Sequence, residues 1–242
     1  LNLIENSGTI LEEVVKVLAE ERHRIILELL KERNVVKLQD ICERTQCSES
    51  SGRRDLQLLE ERGLLVRVHG GAKMKQPLQR ELDVMGKSTQ NTQEKESLGA
   101  KAASYIQDDD VIYLDAGTST IAIIPYLSED QHLTVVTNGV EHASLLADKN
   151  IRTFLLGGRL KNTTKAIIGV KAVSSLTQLR FNKAFLGING IHPRYGFTTP
   201  DPDEAAGKTT ALEQSEECFV LADPSKFDNV SFVKVAELSQ AT

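Results

Sequence analysis

Apolar residues near the start of the chain recur at helical spacing and predict a group of short helices. Their positions are Ile25, Ile26, Leu29 and Leu30 for a first helix, and Leu38, Ile41 and Cys42 for a second. A third helix is predicted from Ser48, a favourable N-cap, to just before Gly63. Leu56 and Leu59 form its apolar face. Residues 64–71 then alternate and end in two glycines, which is typical of a strand entering a tight turn.

Later in the chain the pattern changes to alternating strand-like and helix-like segments. The predicted strands cover residues 111–115, 133–137, 152–156, 183–186 and 217–222, and the clearest helices cover 118–127 and 140–146. Such alternation is typical of a mostly parallel sheet covered by helices. The predicted fold class is therefore α/β, with a small helical domain in front of a larger α/β domain.

A polar stretch separates the two patterns. Residues 73–92 have little apolar periodicity and contain a Pro and a Gly, so they are predicted to be a linker. The predicted organisation is an extension over 1–20, a helical domain over 21–72, the linker, and the α/β domain over 93–242.

Composition narrows the class of protein. With 242 residues, 40% of them hydrophobic and 26% charged, the chain can bury a sizeable core, which excludes a disordered or fibrous protein. Its three cysteines show neither CxxC nor metal-ligand spacing, so a disulfide scaffold and a zinc site are not expected. No other metal and no cofactor are expected. No apolar stretch approaches the roughly 18 residues of a membrane span, and no export signal precedes the first helix. We expect a cytoplasmic protein.

Charge adds a weak indication of nucleic-acid binding. The formal net charge is −5, yet residues 21–72 hold ten Lys and Arg against nine Asp and Glu, a balance of +1. Binding of DNA would therefore depend on where the cations lie.

The polar face of the third helix supplies such positions. Arginine can pair with guanine or grip phosphate, and Ser and Gln can contact phosphates or base edges. Arg67 and His69 follow in the predicted turn, where they could reach the DNA backbone or minor groove. The candidate DNA-binding residues are Ser48, Ser50, Ser51, Arg53, Arg54, Gln57, Arg67 and His69. The alternative is a solvated charged surface with local ion pairs, which is what most such clusters are.

A second candidate site lies where the predicted parallel strands end. Residues 115–120 form a small, hydroxyl-rich turn into a helix, which favours anion binding by backbone N–H groups. Glu204 and Lys208 stand one helical turn apart, and Asp223 and Lys226 follow the last strong strand. The candidate effector-binding residues are Asp115, Gly117, Thr118, Ser119, Thr120, Thr137, Asn138, Gly139, Gly157, Gly158, Gly187, Asn189, Gly190, Glu204, Lys208 and Lys226. The alternatives are ordinary turns and a surface ion pair.

Several of these motifs together resemble the DeoR family of bacterial winged-helix repressors. The matching segments are Ser48 with Arg53 to Leu56, Leu59-Glu60 with Gly63 to Leu65, His69 to Ala72, DAGTST from Asp115, VTNG from Val136, GG from Gly157, AFLGINGI from Ala184, Glu204-Ala205 with Lys208, and DPSKF from Asp223. This resemblance implies a winged helix-turn-helix domain over 21–72, an effector domain resembling ribose-5-phosphate isomerase, and a phosphorylated sugar as ligand. The stretch from Gly196 to Ala205 is most similar to the fructose-operon branch, which implies fructose 1-phosphate.

The chain departs from the family pattern at three places. Ser51 and Gly52 stand where the family has Thr and a β-branched residue, and a helix glycine costs about 1 kcal/mol relative to alanine, so a loosely packed recognition helix is expected. Residues 1–20 precede the usual family start. The α/β domain is expected to lack the last strand of the family.

These sequence features are compatible with three functions. The leading hypothesis is a repressor of a sugar-catabolic operon that binds double-stranded DNA as a homodimer or higher homo-oligomer and responds to a phosphorylated sugar. The second is an isomerase-like enzyme acting on sugar phosphates, with Asp115, Glu204 or Asp223 as general base. The third is a protein-interaction module that uses the helical pair as its surface. No membrane partner is expected.

Overall fold

The computed structural model describes residues 18–33, 35–74, 78 and 84–242 of the chain. These described residues fall into two compact units, one ending at Met74 and the other starting at Leu78. The predicted extension over 1–20 lies almost wholly outside the described residues. So does part of the predicted linker, although Lys73 and Met74 complete a strand and residues 84–88 are helical.

The N-terminal unit packs helices against a small antiparallel sheet. Its elements are α1 (Ala19–Arg33), β1 (Val35–Lys37), α2 (Leu38–Thr45), α3 (Glu49–Glu61), β2 (Leu65–Val68) and β3 (Gly71–Met74). In the described part of the unit the strands are ordered β1-β3-β2. The three helices and the β2–β3 hairpin confirm the sequence prediction, whereas β1 was not predicted because three residues are too short for a periodic signal.

Local sequence signals fix the ends of the helices in this unit. Gln46 adopts a left-handed conformation after α2, and the amide of Cys47 donates to the carbonyl of Cys42. Ser48 caps α3 by accepting a hydrogen bond from the amide of Ser51. The buried core that results consists of Ile26, Leu29, Leu30, Val36, Leu38, Ile41, Leu56, Leu59, Leu65 and Ala72.

The packing around Gly52 shows that the expected loose helix is wrong. Gly52 is buried on α3. A Cβ atom at this position would lie 2.9 Å from Cδ1 of Leu38 and 3.3 and 3.6 Å from the sulfurs of Cys42 and Cys47. These side chains occupy the volume that a β-branched residue would fill, so the glycine leaves no cavity.

The C-terminal unit is an α/β domain. Its elements are α4 (Val84–Ser88), α5 (Thr92–Ala103), β4 (Val111–Leu114), β5 (Thr134–Thr137), α6 (Val140–Asp148), β6 (Arg152–Leu155), β7 (Arg159–Lys161), β8 (Ala166–Ile168), α7 (Val170–Leu176), β9 (Phe181–Gly187), β10 (Gly190–His192), β11 (Gly196–Thr199), α8 (Pro202–Glu213), β12 (Ser215–Leu221) and β13 (Val233–Ala236). Short 3-10 helices cover Ile121–Tyr126, Glu129–Gln131, Pro224–Lys226 and Leu238–Gln240.

The main sheet is parallel and has the order β12-β9-β4-β5-β6. Fully buried Ile112, Leu114 and Phe185 lie in the core on one face, and Tyr113, Ala184 and Leu186 lie in the core on the other. This arrangement confirms the predicted α/β fold class. Because all these strands run the same way, their carboxyl ends meet at one edge.

Two features of this unit differ from the sequence prediction. The helix expected over 118–127 is a turn followed by the 3-10 helix Ile121–Tyr126, because Pro125 has no N–H for an α-helical hydrogen bond. The antiparallel pair β7–β8 and the sheet β10-β11-β13 were not predicted, since their short strands carry little alternation.

Candidate functional site

The outer face of α3 presents most of the predicted DNA-binding side chains to solvent. Ser50, Arg53, Arg54 and Gln57 are all exposed. Arg53 donates to Glu49 at 3.0 Å, and Gln57 donates to Glu61 at 3.0 Å. Arg54 has no ion pair within the part of the chain that the structure describes. The face therefore offers one uncommitted guanidinium and one held only by an exposed partner.

The remaining candidates of this unit differ in their surroundings. Ser48 and Ser51 are joined by the capping hydrogen bond, so they hold the start of α3 as well as lying near its exposed end. Arg67 is bound by Glu60, whose carboxylate accepts from its amide at 2.8 Å and from Nε at 2.7 Å. The backbone bond, followed by the side-chain bond, lowers the pKa of Glu60. His69 is exposed in the β2–β3 turn.

Asp55, the third residue of the Arg-Arg-Asp motif, points into the unit. It is buried and accepts hydrogen bonds from Arg22, at 2.7 Å from Nε and 3.1 Å from Nη2. Nε2 of His23 lies 3.1 Å from Oδ1, the same oxygen that accepts from Nη2 of Arg22. Asp55 thus ties α3 to α1. Sequence reasoning did not identify this cluster, although the spacing of Asp55 on the side of Leu56 and Leu59 could have indicated it.

A polar cavity of about 650 Å³, measured with its open mouth, lies beyond the carboxyl ends of β4 and β9 in the C-terminal unit. It is lined by Lys87, Gln90, Asn91, Lys95, Ala116, Gly117, Thr118, Ser119, Thr164, Gly187, Ile188, Asn189, Glu204, Lys208, Asp223 and Lys226. The predicted residues that line it are therefore Gly117, Thr118, Ser119, Gly187, Asn189, Glu204, Lys208 and Lys226.

Besides Asp115, which is described below, four predicted residues that follow β4 and β5 do not line this cavity. The Thr120 hydroxyl donates to the carbonyls of Asp115 and Gly117, and the Thr137 hydroxyl donates to Leu114. Asn138 accepts from the amide of Ala116 at 2.7 Å and faces a second cavity of about 230 Å³. A Cβ on Gly139 would lie 2.5 Å from Nδ1 of His142, so this glycine makes room for the buried histidine.

Three further glycines are also placed elsewhere. Gly157 and Gly158 are exposed after β6, at the far edge of the sheet. Gly190 begins β10, where the carbonyl of Asn229 would be 2.5 Å from an added Cβ. The strand β6 is separated from β9 by two strands, which is why its end does not reach the cavity.

The turn after β4 provides backbone donors at the cavity wall. The amides of Gly117, Thr118 and Ser119 donate to no acceptor among the described residues. The amide of Ala116 is instead satisfied by Asn138. Consecutive free N–H groups of this kind form a concave site for an anion.

Asp115 precedes this turn and holds the side chain of Lys208 in place. It is buried, and its Oδ2 atom accepts from Nζ of Lys208 and from the amide of Gly187 at 3.0 Å. Burial raises the pKa of Asp115, and the charge of Lys208 opposes that rise. The pair fixes Lys208 at the cavity wall.

Glu204 is oriented by the β7–β8 hairpin. It is buried, and Oε1 accepts from the Thr164 hydroxyl at 2.8 Å and from Nζ of Lys161 at 3.1 Å. Lys161 also lies 2.9 Å from Asp201, the N-cap of α8. One carboxylate oxygen of Glu204 is thereby committed to protein partners.

The segment that begins α5 closes another side of the cavity and was missed by sequence reasoning. Asn91 donates to Asp223 at 2.8 Å, and Nζ of Lys95 donates to the carbonyls of Lys87 and Gln90. Burial lowers the pKa of Lys95 and of Lys226, with Asp223 opposing both shifts. Burial raises the pKa of Asp223, but hydrogen bonds from Ser225 and the charge of Lys226 leave it below its usual value.

Two further findings concern the described residues as a whole. They contain no cluster of three or more His, Cys, Asp or Glu side chains able to hold a metal ion. They also contain no helix of sufficient length and apolar character to cross a membrane.

Comparison with known families and proteins gives consistent matches. Residues 22–77 match the DeoR-like helix-turn-helix domain, and residues 90–242 match the DeoR C terminal sensor domain. The chain is 46% identical to an uncharacterized HTH-type transcriptional regulator of Bacillus subtilis, FruR, over 93% of this chain and 90% of that protein. It is 31% identical to the lactose phosphotransferase system repressor of Staphylococcus aureus, over 92% of this chain and 89% of that protein. Among solved structures, it is similar to ribose 5-phosphate isomerase A of Methanocaldococcus jannaschii, with a TM-score of 0.43 and 17% identity over 57% of this chain and 55% of that chain.

Proposed function

The chain belongs to the DeoR family of helix-turn-helix transcriptional regulators, and from this we propose that it represses a sugar-catabolic operon in response to a phosphorylated sugar. The N-terminal unit would bind operator DNA, and the cavity of the C-terminal unit would bind the sugar phosphate. Reading of two operator half-sites would require a homodimer or a higher homo-oligomer.

The ligand proposal rests on one observation: lysine side chains and unbonded backbone amides lie at the wall of the same cavity. Lys208 and Lys226 lie at the cavity wall together with the unpaired amides of Gly117 to Ser119. A phosphate group would accept from these amides and pair with the lysines, as anions do at backbone concavities. The hydroxyls of a sugar would then face Glu204 and Asn189, which can accept hydrogen bonds from them.

DNA binding is supported by the exposed face of α3. Arg53 and Arg54 project from the first half of this helix, the part that enters the major groove in helix-turn-helix proteins. Arg67, on β2, and His69, in the hairpin turn, would contact phosphates from the wing.

The engagement of the carboxylates supports a sensor over an isomerase. A general base needs a carboxylate that can take a proton from the substrate. Asp115 is bound to Lys208, Glu204 to Thr164 and Lys161, and Asp223 to Asn91 and Ser225. These contacts commit one oxygen of each carboxylate to protein partners, which favours the binding of a polar ligand over the role of a general base.

Fructose 1-phosphate is the first effector to test. The reason is the stretch from Gly196 to Ala205, which forms β11 and the start of α8 and places Glu204 at the cavity. A relative named as a repressor of a phosphotransferase system supports repression as the sign of regulation.

A thermal-shift panel followed by titration calorimetry tests the ligand proposal. The panel contains fructose 1-phosphate, fructose 6-phosphate, glucose 6-phosphate, free fructose and inorganic phosphate. A ligand at about one hundred times its Kd stabilises the folded protein by about 2.7 kcal/mol, which for a chain of this size raises Tm by roughly 5 to 10 °C. We expect one sugar phosphate to do so and free fructose to have no effect.

Variants of two lysines locate the bound ligand. Lys226→Met should weaken the binding of that sugar phosphate by about tenfold to a hundredfold, the range of one charge-assisted hydrogen bond. The matched control is Lys171→Met on the exposed face of α7, which should leave the Kd unchanged. The proposal is wrong if no sugar phosphate in the panel raises Tm, or if product analysis shows that one of them is converted.

A further inference from the structure

Two thiols lie together at the junction of α2 and α3. The sulfurs of Cys42 and Cys47 are 3.3 and 3.6 Å from the same point, the position that a Cβ on residue 52 would take. Both side chains are partly exposed, and neither cysteine is in a disulfide. Their backbones are joined as well, because the amide of Cys47 donates to the carbonyl of Cys42 at 3.2 Å.

This geometry is set by the end of α2. Gln46 adopts the left-handed conformation with φ 50°, and the chain then folds back so that Cys47 returns over the last turn of the helix. In helix ends of this kind the residue after the left-handed position commonly packs on the residue five positions earlier. Here both members of that pair are cysteines.

Gly52 leaves room for the two sulfurs to lie beside α3. A Cβ at this position would lie 2.9 Å from Cδ1 of Leu38 and 3.3 Å from the sulfur of Cys42, both tight contacts, and 3.6 Å from the sulfur of Cys47, an ordinary contact. The absence of a side chain on residue 52 therefore leaves room for the thiols on the inner side of α3. The departure from the family pattern at Gly52 and the presence of a cysteine pair are thus parts of one arrangement.

We propose that Cys42 and Cys47 are a site of reversible oxidation, at which hydrogen peroxide forms a disulfide within the turn between α2 and α3. The sulfur of one cysteine attacks one peroxide oxygen, an S–O bond forms, the O–O bond breaks, and one water leaves. The sulfur of the other cysteine then attacks the oxidised sulfur, an S–S bond forms, the S–O bond breaks, and the second water leaves. Two thiols are oxidised and one peroxide is reduced; a dithiol reductant reverses the reaction.

Burial raises the pKa of Cys42 to about 11, with Cys47 adding to the rise. The two thiols therefore act as one coupled pair, in which the thiolate is the reactive form. Closing the bond to its length of about 2.05 Å would pull on Cys47 and on the adjacent cap Ser48 of α3.

Tryptic digestion reports this bond directly. Cleavage after Lys37, Arg44 and Arg53 places Cys42 in the peptide 38–44 and Cys47 in the peptide 45–53. The full chain is treated with hydrogen peroxide, its remaining thiols are alkylated, and the digest is analysed by mass spectrometry. We expect a disulfide-linked pair of these two peptides, which disappears on treatment with dithiothreitol, while non-reducing electrophoresis shows a monomeric chain. Two fully alkylated peptides after peroxide, or a covalent dimer, would overturn the proposal.

Variants test the specificity of the site. Cys42→Ser and Cys47→Ser should each abolish the linked pair, and Cys218→Ser should retain it, because Cys218 is buried in the other unit and its pKa is raised to about 12 by burial. Gly52→Ala should slow formation of the bond by at least about tenfold, because a Cβ would press on Leu38 and displace the sulfur of Cys42. The matched control is Gly207→Ala on α8, where a Cβ meets open space, and the rate should stay the same. An unchanged rate in Gly52→Ala would overturn the role given to Gly52.

Discussion

At the residue scale, the side chains of the Arg-Arg-Asp motif lie on two sides of one helix. Arg53 and Arg54 face solvent, whereas Asp55 is buried between Arg22 and His23. Removing one partner of a buried pair typically costs about 3 to 5 kcal/mol, because the other charge is left without compensation. The motif therefore carries both the arginines of the proposed DNA surface and the ion pair that fixes their helix on the unit.

His142 gives the C-terminal unit a dependence of stability on pH. Burial lowers the pKa of His142 to about 4, and its Nε2 lies 3.1 Å from the hydroxyl of Thr120. The folded protein keeps this ring neutral, while the unfolded chain binds a proton below about pH 6.5. The contribution of His142 to the free energy of unfolding is thus fully present above pH 6.5. It is lost as the pH falls toward 4, which lowers the free energy of unfolding by on the order of 3 kcal/mol.

Urea denaturation at a series of pH values checks this expectation. In a His142→Gln variant the free energy of unfolding should fall less steeply between pH 6.5 and 4 than in the unmodified chain. His132→Gln, at an exposed position, should keep the full slope. Identical slopes for all three proteins would contradict a buried neutral His142.

At the element scale, α3 is where the proposed DNA contacts concentrate. Arg53→Ala and Arg54→Ala should each weaken binding to a duplex recovered by selection from a random library, by roughly 1 to 3 kcal/mol if the side chain reads a base. If it contacts only phosphate, the loss should be uniform across sequences and the salt dependence should become shallower.

The control for this titration is Arg24→Ala. Arg24 is also exposed, but it lies on α1 and is engaged by Glu21 and Glu28. Its loss should leave the affinity within a factor of about two, since exposed ion pairs contribute little. Unchanged binding in both α3 variants would show that another surface binds DNA.

The predictability of the elements follows from their length and periodicity. The helices of the N-terminal unit and the strands β4, β5, β9 and β12 could be predicted because apolar residues recur in them at a regular period over several positions. The short strands β1, β7 and β8 could not, because they exist only through pairing with distant segments. Apolar periodicity alone predicts a helix over 118–127, but Pro125 lacks the N–H of an α-helical hydrogen bond, and the segment forms a turn and the 3-10 helix Ile121–Tyr126 instead.

At the scale of the whole molecule, the cavity combines segments that are far apart in sequence. Thr118, Asn189 and Lys208 could be predicted because parallel strands end at one edge. Lys87 and Asn91 could not, since their segment has the composition of a linker and reaches the cavity only through tertiary contacts such as Asn91 to Asp223. In the sequence this segment lies shortly after Met74, the last described residue of the N-terminal unit.

The two binding events should therefore be linked with equal strength in both directions. If the sugar phosphate changes the Kd for DNA by some factor, saturating DNA must change the Kd for the sugar phosphate by the same factor, typically about 5 to 150. Fluorescence anisotropy of a labelled duplex gives the first factor, and calorimetry with and without DNA gives the second.

Substitution of Asn91 tests whether its hydrogen bond to Asp223 contributes to the coupling between the two affinities. Asn91→Ala removes the bond to Asp223 and should reduce both factors together, whereas Asn150→Ala, at an exposed turn, should alter neither. A sugar phosphate that binds equally well with and without DNA would contradict the linkage.

The buried position of Asp55 has a consequence for the comparison of genomes. A chain that retains this aspartate next to two arginines retains the means of holding its third helix against its first, whatever sequence of bases it recognises. The aspartate thus serves to hold α3 against α1, and regulators that share it need not share target genes. Differences in target choice should be sought at the outward positions of α3, which can vary without disturbing that assembly.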